Sequence, residues 1–129
     1  MTQLHNKPPT IAVIPRLWRA LGWSLAGLRA GLKYEQSLRI EVATLPFIIA
    51  MAWWLGSSPW HQVLLISAWL LLIMCELLNS ALEATVDRIS SDHHLLSGRA
   101  KDLGSAAVLI AFIINLLLWA AEILTTTTI

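Results

Sequence analysis

The sequence predicts an all-α membrane protein, with an amphipathic N-terminal helix on the membrane surface followed by three membrane-spanning helices. Three observations carry this. Of the 129 residues, 57% are hydrophobic and 13% charged, with a mean hydropathy of +0.66, far more apolar than an ordinary soluble domain. Three long apolar runs follow one another, separated by short polar segments. The nine basic residues are also unevenly placed. Lys7, Arg16, Arg19, Arg29, Lys33 and Arg39 precede the first run, and Arg88, Arg99 and Lys101 lie between the second and third. The positive-inside rule then puts the N-terminus and the second loop in the cytoplasm and the C-terminus outside.

Taken in order, residues 1–15 read as a flexible tail, with Pro8, Pro9 and Pro15 and no apolar core followed by small cleavage-site residues that would mark a removable signal peptide. In residues 16–39, Leu17, Leu21, Leu25 and Leu28 recur at helical spacing while Arg16, Arg19, Arg29 and Lys33 interrupt any spanning run. This predicts a surface helix, with Trp18 and Trp23 at headgroup level. The first span, about 42–59, is short for the ~20 residues a hydrocarbon core requires, and Pro46 lies inside it. A turn over "GSSPWHQ" follows, with Trp53, Trp54 and Trp60 as an interfacial belt. The second span is about 63–87 and the third about 105–124, with residues 125–129 a C-terminal tail.

The net charge of +1 gives no indication of a nucleic-acid partner. The single cysteine, Cys75, has no intramolecular disulfide partner and no ligand-spaced neighbour, so it reads as a small apolar helix residue. No G-x-x-x-x-G-K-[ST], G-x-G-x-x-G, HRD or DFG segment occurs, which excludes a P-loop and a protein-kinase site.

The chemistry is concentrated in "CELLNSALEATVDR", residues 75–88. Glu76, Asn79, Glu83 and Asp87 fall within an arc of roughly 80° at 100° per residue. They form a single stripe about 16 Å long, at ~1.5 Å per residue, running towards the cytoplasm. Ionisable groups at bilayer depth face protein or a wet cavity and carry function. Such a stripe serves either a catalytic site or a proton or ion relay in a small transport subunit. The segment "SGRAKDLGS", residues 97–105, places Arg99, Lys101 and Asp102 just before the third span, where a helix N-terminus beside basic groups would favour an anion. A relay has no need of such a phosphate site. His93 and His94 read as loop residues with nucleotide contact as the alternative, and Glu35 and Glu41 mark the junction of surface helix and first span.

The patterns E-x-x-N-S-A-x-E-x-x-x-D-R (76–88) and L-S-G-R-A-K-D-x-G-S-A-A-V (96–108), with "GLRAGLKYEQSLRIE" upstream, closely resemble the signature of the small prokaryotic integral-membrane diacylglycerol kinases. The similarity covers about residues 16–124. It implies a homotrimer of three-span subunits that phosphorylates diacylglycerol with ATP and Mg²⁺, giving phosphatidic acid at the cytoplasmic face of the inner membrane in phospholipid recycling. An undecaprenol kinase of the same architecture is the near alternative. The resemblance makes Glu76 the general base on the lipid hydroxyl and gives Asn79 the orientation of substrate or of Glu76. Glu35 and Glu83 hold the metal. Arg16, Trp23, Asp92, His93, His94, Lys101 and Asp102 contact the nucleotide with them, and Arg29, Glu41 and Ser105 line the lipid region.

Overall fold

The computed structural model describes residues 13–89 and 94–127. They form four helices, α1 (Val13–Tyr34), α2 (Gln36–Leu55), α3 (Pro59–Ile89) and α4 (Leu95–Thr127), and no strand occurs among the described residues. The last three are long and apolar enough to cross a membrane. Asp92 and His93 lie outside the described residues, as does most of the proposed N-terminal tail.

Element boundaries depart from the expected ones, each for a local reason. The first helix ends at Tyr34 rather than at 39, because Glu35 adopts extended backbone with φ −103° and ψ 120°. The Arg39 guanidinium reaches back to donate to the last carbonyls of α1, Lys33 O at 3.0 Å and Leu32 O at 3.4 Å, a charge-assisted cap on groups that no helical N–H can reach. Residues 36–39 thereby become the first turn of α2. Its 20 residues reach about 30 Å at 1.5 Å per residue, so the first span needs no bilayer thinning to cross. Pro46 sits inside this helix and removes one backbone donor, a defect transmembrane helices tolerate where neighbours pack around them.

At the other end, α2 stops at Leu55, four residues short of the expected limit, with the Gly56 N–H donating to Ala52 O at 2.9 Å. Helix α3 then starts at Pro59 rather than 63. Proline at the first helical position sacrifices no bond, and Ser58 caps it, its hydroxyl accepting the His61 N–H at 3.4 Å. Glu122 of α4 ties this turn down. Its carboxylate accepts the Ser57 N–H at 2.6 Å and lies 3.4 Å from His61 Nδ1.

The largest correction concerns the segment before the third span. Residues 95–104, expected as loop, are the first turns of α4, which also runs past 124 to Thr127. Composition concealed this, because Arg99, Lys101 and Asp102 read as a polar loop although Leu, Ala, Arg and Lys are good helix formers. No helix N-terminus therefore stands at Ser105, and the anion site expected there from free backbone N–H groups does not exist. The true N-terminus is Leu95, where His94 Nδ1 accepts the Leu96 N–H at 3.2 Å.

Helix α3 is the centre of the bundle, packed on α4 along most of its length and on α2, while α1 touches mainly α2. Small residues allow the close approach, with Ala52, Ala68 and Ala111 among the buried positions. Asn115 Nδ2 pins α4 to α3 by donating to Ala68 O at 2.8 Å as well as to Ala111 O in its own helix at 3.0 Å. Helix α1 buries no residue, and Leu17, Leu21, Leu25, Leu28 and Leu32 are all exposed along it.

Candidate active site

The polar stripe of α3 faces a cavity of about 300 Å³. Glu76, Asn79, Ser80 and Glu83 come from α3, Ser105 and Val108 from α4, Ser37 from α2, and Glu35 from the α1–α2 junction. Five residues singled out from the sequence, Glu35, Glu76, Asn79, Glu83 and Ser105, are thus brought to one site although they span 71 positions of chain. Helical periodicity explains α3's share, since positions 76, 79, 80 and 83 lie on one face. The extended backbone of Glu35 explains another, because the break between α1 and α2 turns this carboxylate towards α3.

Glu76 is buried, with a relative exposure of 8%. Asn79 Nδ2 donates to Glu83 Oε1 at 3.0 Å, one helical turn on. Its other atom, Oδ1, is buried without a hydrogen-bond partner, although buried acceptors are nearly always satisfied. Gly104 of α4 packs directly against it: a Cβ at that position would collide with Asn79 Oδ1. The glycine of the "KDLGS" segment therefore leaves room for Asn79 where the two helices meet.

Glu41 lies beside this cavity rather than in it, lining with Ile40, Trp69 and Leu72 a neighbouring space that shares Ser105 and Val108. Its Oε2 is buried and unpartnered, and its backbone carbonyl accepts the Trp69 indole N–H at 3.0 Å.

The expected nucleotide residues divide. His94 and Asp102 line a second, open cavity of about 570 Å³ with Arg99 and Gly98 at the start of α4. Lys101 instead donates to Asp87 Oδ1 at 2.5 Å, closing α3 against α4 beside the stripe. Arg16, Trp23 and Arg29 are exposed on α1 and line neither cavity. A single subunit does not bring these three to the carboxylates. Ser37 and Ser80 were missed. The signal for Ser80 was its place on the stripe face, and for Ser37 its position two residues after Glu35.

As a donor set, the cavity offers carboxylate, amide and hydroxyl oxygens without sulfur or imidazole. Hard divalent cations such as Mg²⁺ prefer such a set and retain several waters, so the residues fit that ion. Among the described residues no group of three or more His, Cys, Asp or Glu could hold a metal ion.

The chain is similar to proteins of a known family. The family described as prokaryotic diacylglycerol kinase matches residues 22–123. The chain is 48% identical over 104 residues to a diacylglycerol kinase of Escherichia coli (strain K12), covering 81% of this chain and 85% of that protein. It is 41% identical over 111 residues to a diacylglycerol kinase of Pseudomonas aeruginosa, covering 86% and 90% respectively. A diacylglycerol kinase of Helicobacter pylori (strain 26695) is 35% identical over 117 residues, 91% of each chain. With three helices able to cross a membrane and a match over most of its length, the chain belongs to the prokaryotic diacylglycerol kinase family and is a bacterial membrane lipid kinase.

Proposed function

We propose that this protein transfers the γ-phosphoryl group of ATP to the free hydroxyl of diacylglycerol, giving phosphatidic acid and ADP at the cytoplasmic face of the inner membrane, in phospholipid recycling. The observation that carries this reading is the convergence of Glu35, Glu76, Asn79, Glu83 and Ser105 on one cavity at the end of the spans where α3 and α4 leave the apolar zone.

The roles follow from position. Glu83 is seven residues from Glu76, about 10 Å along the axis towards the polar end. Glu76, deeper and buried, is the group that meets a hydroxyl carried by a lipid, and it accepts the hydroxyl proton as that oxygen attacks phosphorus. Asn79 links the two levels, since it lines the cavity and holds Glu83 by its Nδ2. Glu35 and Glu83 would hold Mg²⁺, which when bound with ATP supplies charge neutralisation at the phosphates. Lys101, Asp102 and His94 stand at the α4 end, where the nucleotide would lie. Transfer is direct and in line, with positioning and charge stabilisation supplying the catalysis. The phosphorus–oxygen bond to ADP breaks as the bond to the lipid oxygen forms.

The surroundings support a subunit of a homotrimer with α1 on the membrane surface. Helix α1 exposes its leucine stripe and two tryptophans, which suits the interface between headgroups and acyl chains. A stripe of carboxylates backed by three thin helices is costly against lipid, and neighbouring subunits would cover it and bring other α1 residues near. Incubating the purified protein with MgATP and either diacylglycerol or undecaprenol in mixed micelles tests the substrate. Phosphatidic acid is expected to form faster than the polyprenyl phosphate, and the reverse order would transfer the assignment to the polyprenol.

A further inference from the structure

The end of the bundle remote from the carboxylate stripe holds a second polar cluster, made by Ser57, His61 and Glu122. It joins all three spans. Ser57 follows the last turn of α2, His61 stands in the first turn of α3, and Glu122 stands in the last two turns of α4. The Ser57 N–H donates to Glu122 Oε1 at 2.6 Å, the Ser57 hydroxyl and His61 Nδ1 are 2.5 Å apart, and the same Nδ1 lies 3.4 Å from Glu122 Oε2. One turn on, Thr126 Oγ1 bridges Leu55 O at 3.3 Å and Glu122 O at 2.9 Å, a second tie between α4 and the end of α2.

Serine, histidine and glutamate together suggest a nucleophile with its base, but the geometry forbids it. In such a triad the carboxylate and the hydroxyl take opposite ring nitrogens, whereas here both meet Nδ1. The cluster is also isolated in charge. Among the described residues the next ionisable side chains are Glu41 on α2, Cys75 on α3 and Asp102 on α4, each at least fourteen residues away, or about 21 Å along a helix axis. Helix α1 joins α2 at its opposite end. Only the imidazole and the carboxylate therefore decide how this end responds to pH.

We propose that Ser57, His61 and Glu122 form a proton-operated latch, which clamps the ends of the three spans together when His61 is charged and loosens them when it is neutral. Glu122 is buried, at 6% exposure, while the His61 side chain is 42% exposed. The ring can thus take a proton from water without the carboxylate leaving its place. Imidazoles change charge between about pH 5 and 8. With the proton on, both ring nitrogens are donors, so Nδ1–H donates to the Ser57 hydroxyl and faces the carboxylate as a cation. Charge-assisted contacts of this kind are roughly twice as strong as neutral ones. With the proton off, the ring brings at most a neutral hydrogen bond to the same place. The latch therefore contributes to stability in acid and loses that contribution as pH rises. On the proposed topology this end faces away from the cytoplasm, so the cluster samples the pH of the medium.

Thermal unfolding of the full-length protein in detergent, at about pH 5.5 and about pH 8.5 on either side of the imidazole range, tests the latch in His61→Gln, Glu122→Gln and the double variant. His61→Gln is expected to unfold about 4 °C below the unsubstituted chain at the lower pH, a shift of ordinary size for one lost tie in a chain of this length, and level with it at the higher. Non-additivity between positions 61 and 122 is expected at the lower pH and not at the higher. Equal non-additivity at both, or more at the higher pH, would overturn the latch. Where Glu122→Gln does not fold, His61→Gln decides alone: a deficit confined to the lower pH supports the latch, and a deficit of the same size at both, or at neither, overturns it.

Discussion

Glu76 and Glu83 share a helix face and a cavity but differ in depth, and that difference separates their proposed chemistry. Glu76→Gln keeps the shape and the hydrogen-bonding capacity of the side chain while removing a base. Turnover is expected to fall by at least about 100-fold, the range a positioned general base contributes, with nucleotide affinity retained. Glu83→Gln is expected to weaken MgATP binding by about tenfold or more, since one carboxylate ligand to the ion is gone. Steady-state kinetics beside nucleotide titration distinguishes the two, and equal loss of nucleotide binding in both would abolish the division of roles. The stripe itself was legible in the sequence, because position on a helix face follows from spacing alone. Asp87 was not. Its partner Lys101 is fourteen residues away on another helix, and sequence spacing says nothing of such a meeting. Glu41 and Trp69, joined across 28 residues, were hidden for the same reason.

At the scale of the elements, the number and order of helices followed from the apolar runs, but their ends did not. Residues 95–104 carry enough charge to read as loop, yet they continue the helix that Ser105 was expected to start. The 31 residues of α3 and the 33 of α4 reach about 46 and 50 Å and so extend well past a ~30 Å hydrocarbon core. The candidate site lies towards these ends, where α3 and α4 pack against each other. At the opposite end the turn between α2 and α3 depends on Glu122. Glu122→Ala leaves the Ser57 N–H without its acceptor, which is expected to lower stability by about 1–3 kcal/mol. Glu122→Gln retains an acceptor oxygen and is expected to lose less. Thermal unfolding in detergent would measure both, and equal losses would show that the bond to Ser57 contributes nothing.

For the whole molecule, the balance of buried and exposed surface is the governing fact. Helix α1 buries no side chain, and among the described residues the largest fully buried ones are only Leu38 and Leu65. A chain with so small a core relies on lipid, and in the proposed homotrimer on neighbouring subunits, for the contacts that a soluble domain finds in its own core. Chemical cross-linking of the protein in lipid bilayers is expected to yield dimers and trimers and no larger closed species. Recovery of monomers alone would remove the argument that neighbours complete the site. Sequence could indicate the need for a cover, through charge at depth, but not which surface supplies it, because Arg16, Trp23 and Arg29 stand on a helix that makes little contact with the rest of its own chain.

The Glu122 contact also bears on how the polypeptide is made. On the proposed topology, with the kinase site on the cytoplasmic side, the ribosome would deliver α4 from that side, and an acidic side chain five residues from its far end would have to be carried through the bilayer, at about 3 kcal/mol for a charge at the middle of a span. The receptor for that carboxylate, the Ser57 amide and the neighbouring imidazole, is synthesised 65 residues earlier. On that topology it would already be on the outer side when Glu122 arrives. Biogenesis would then end with a docking step, in which an awkward passenger of the last span finds a prepared berth.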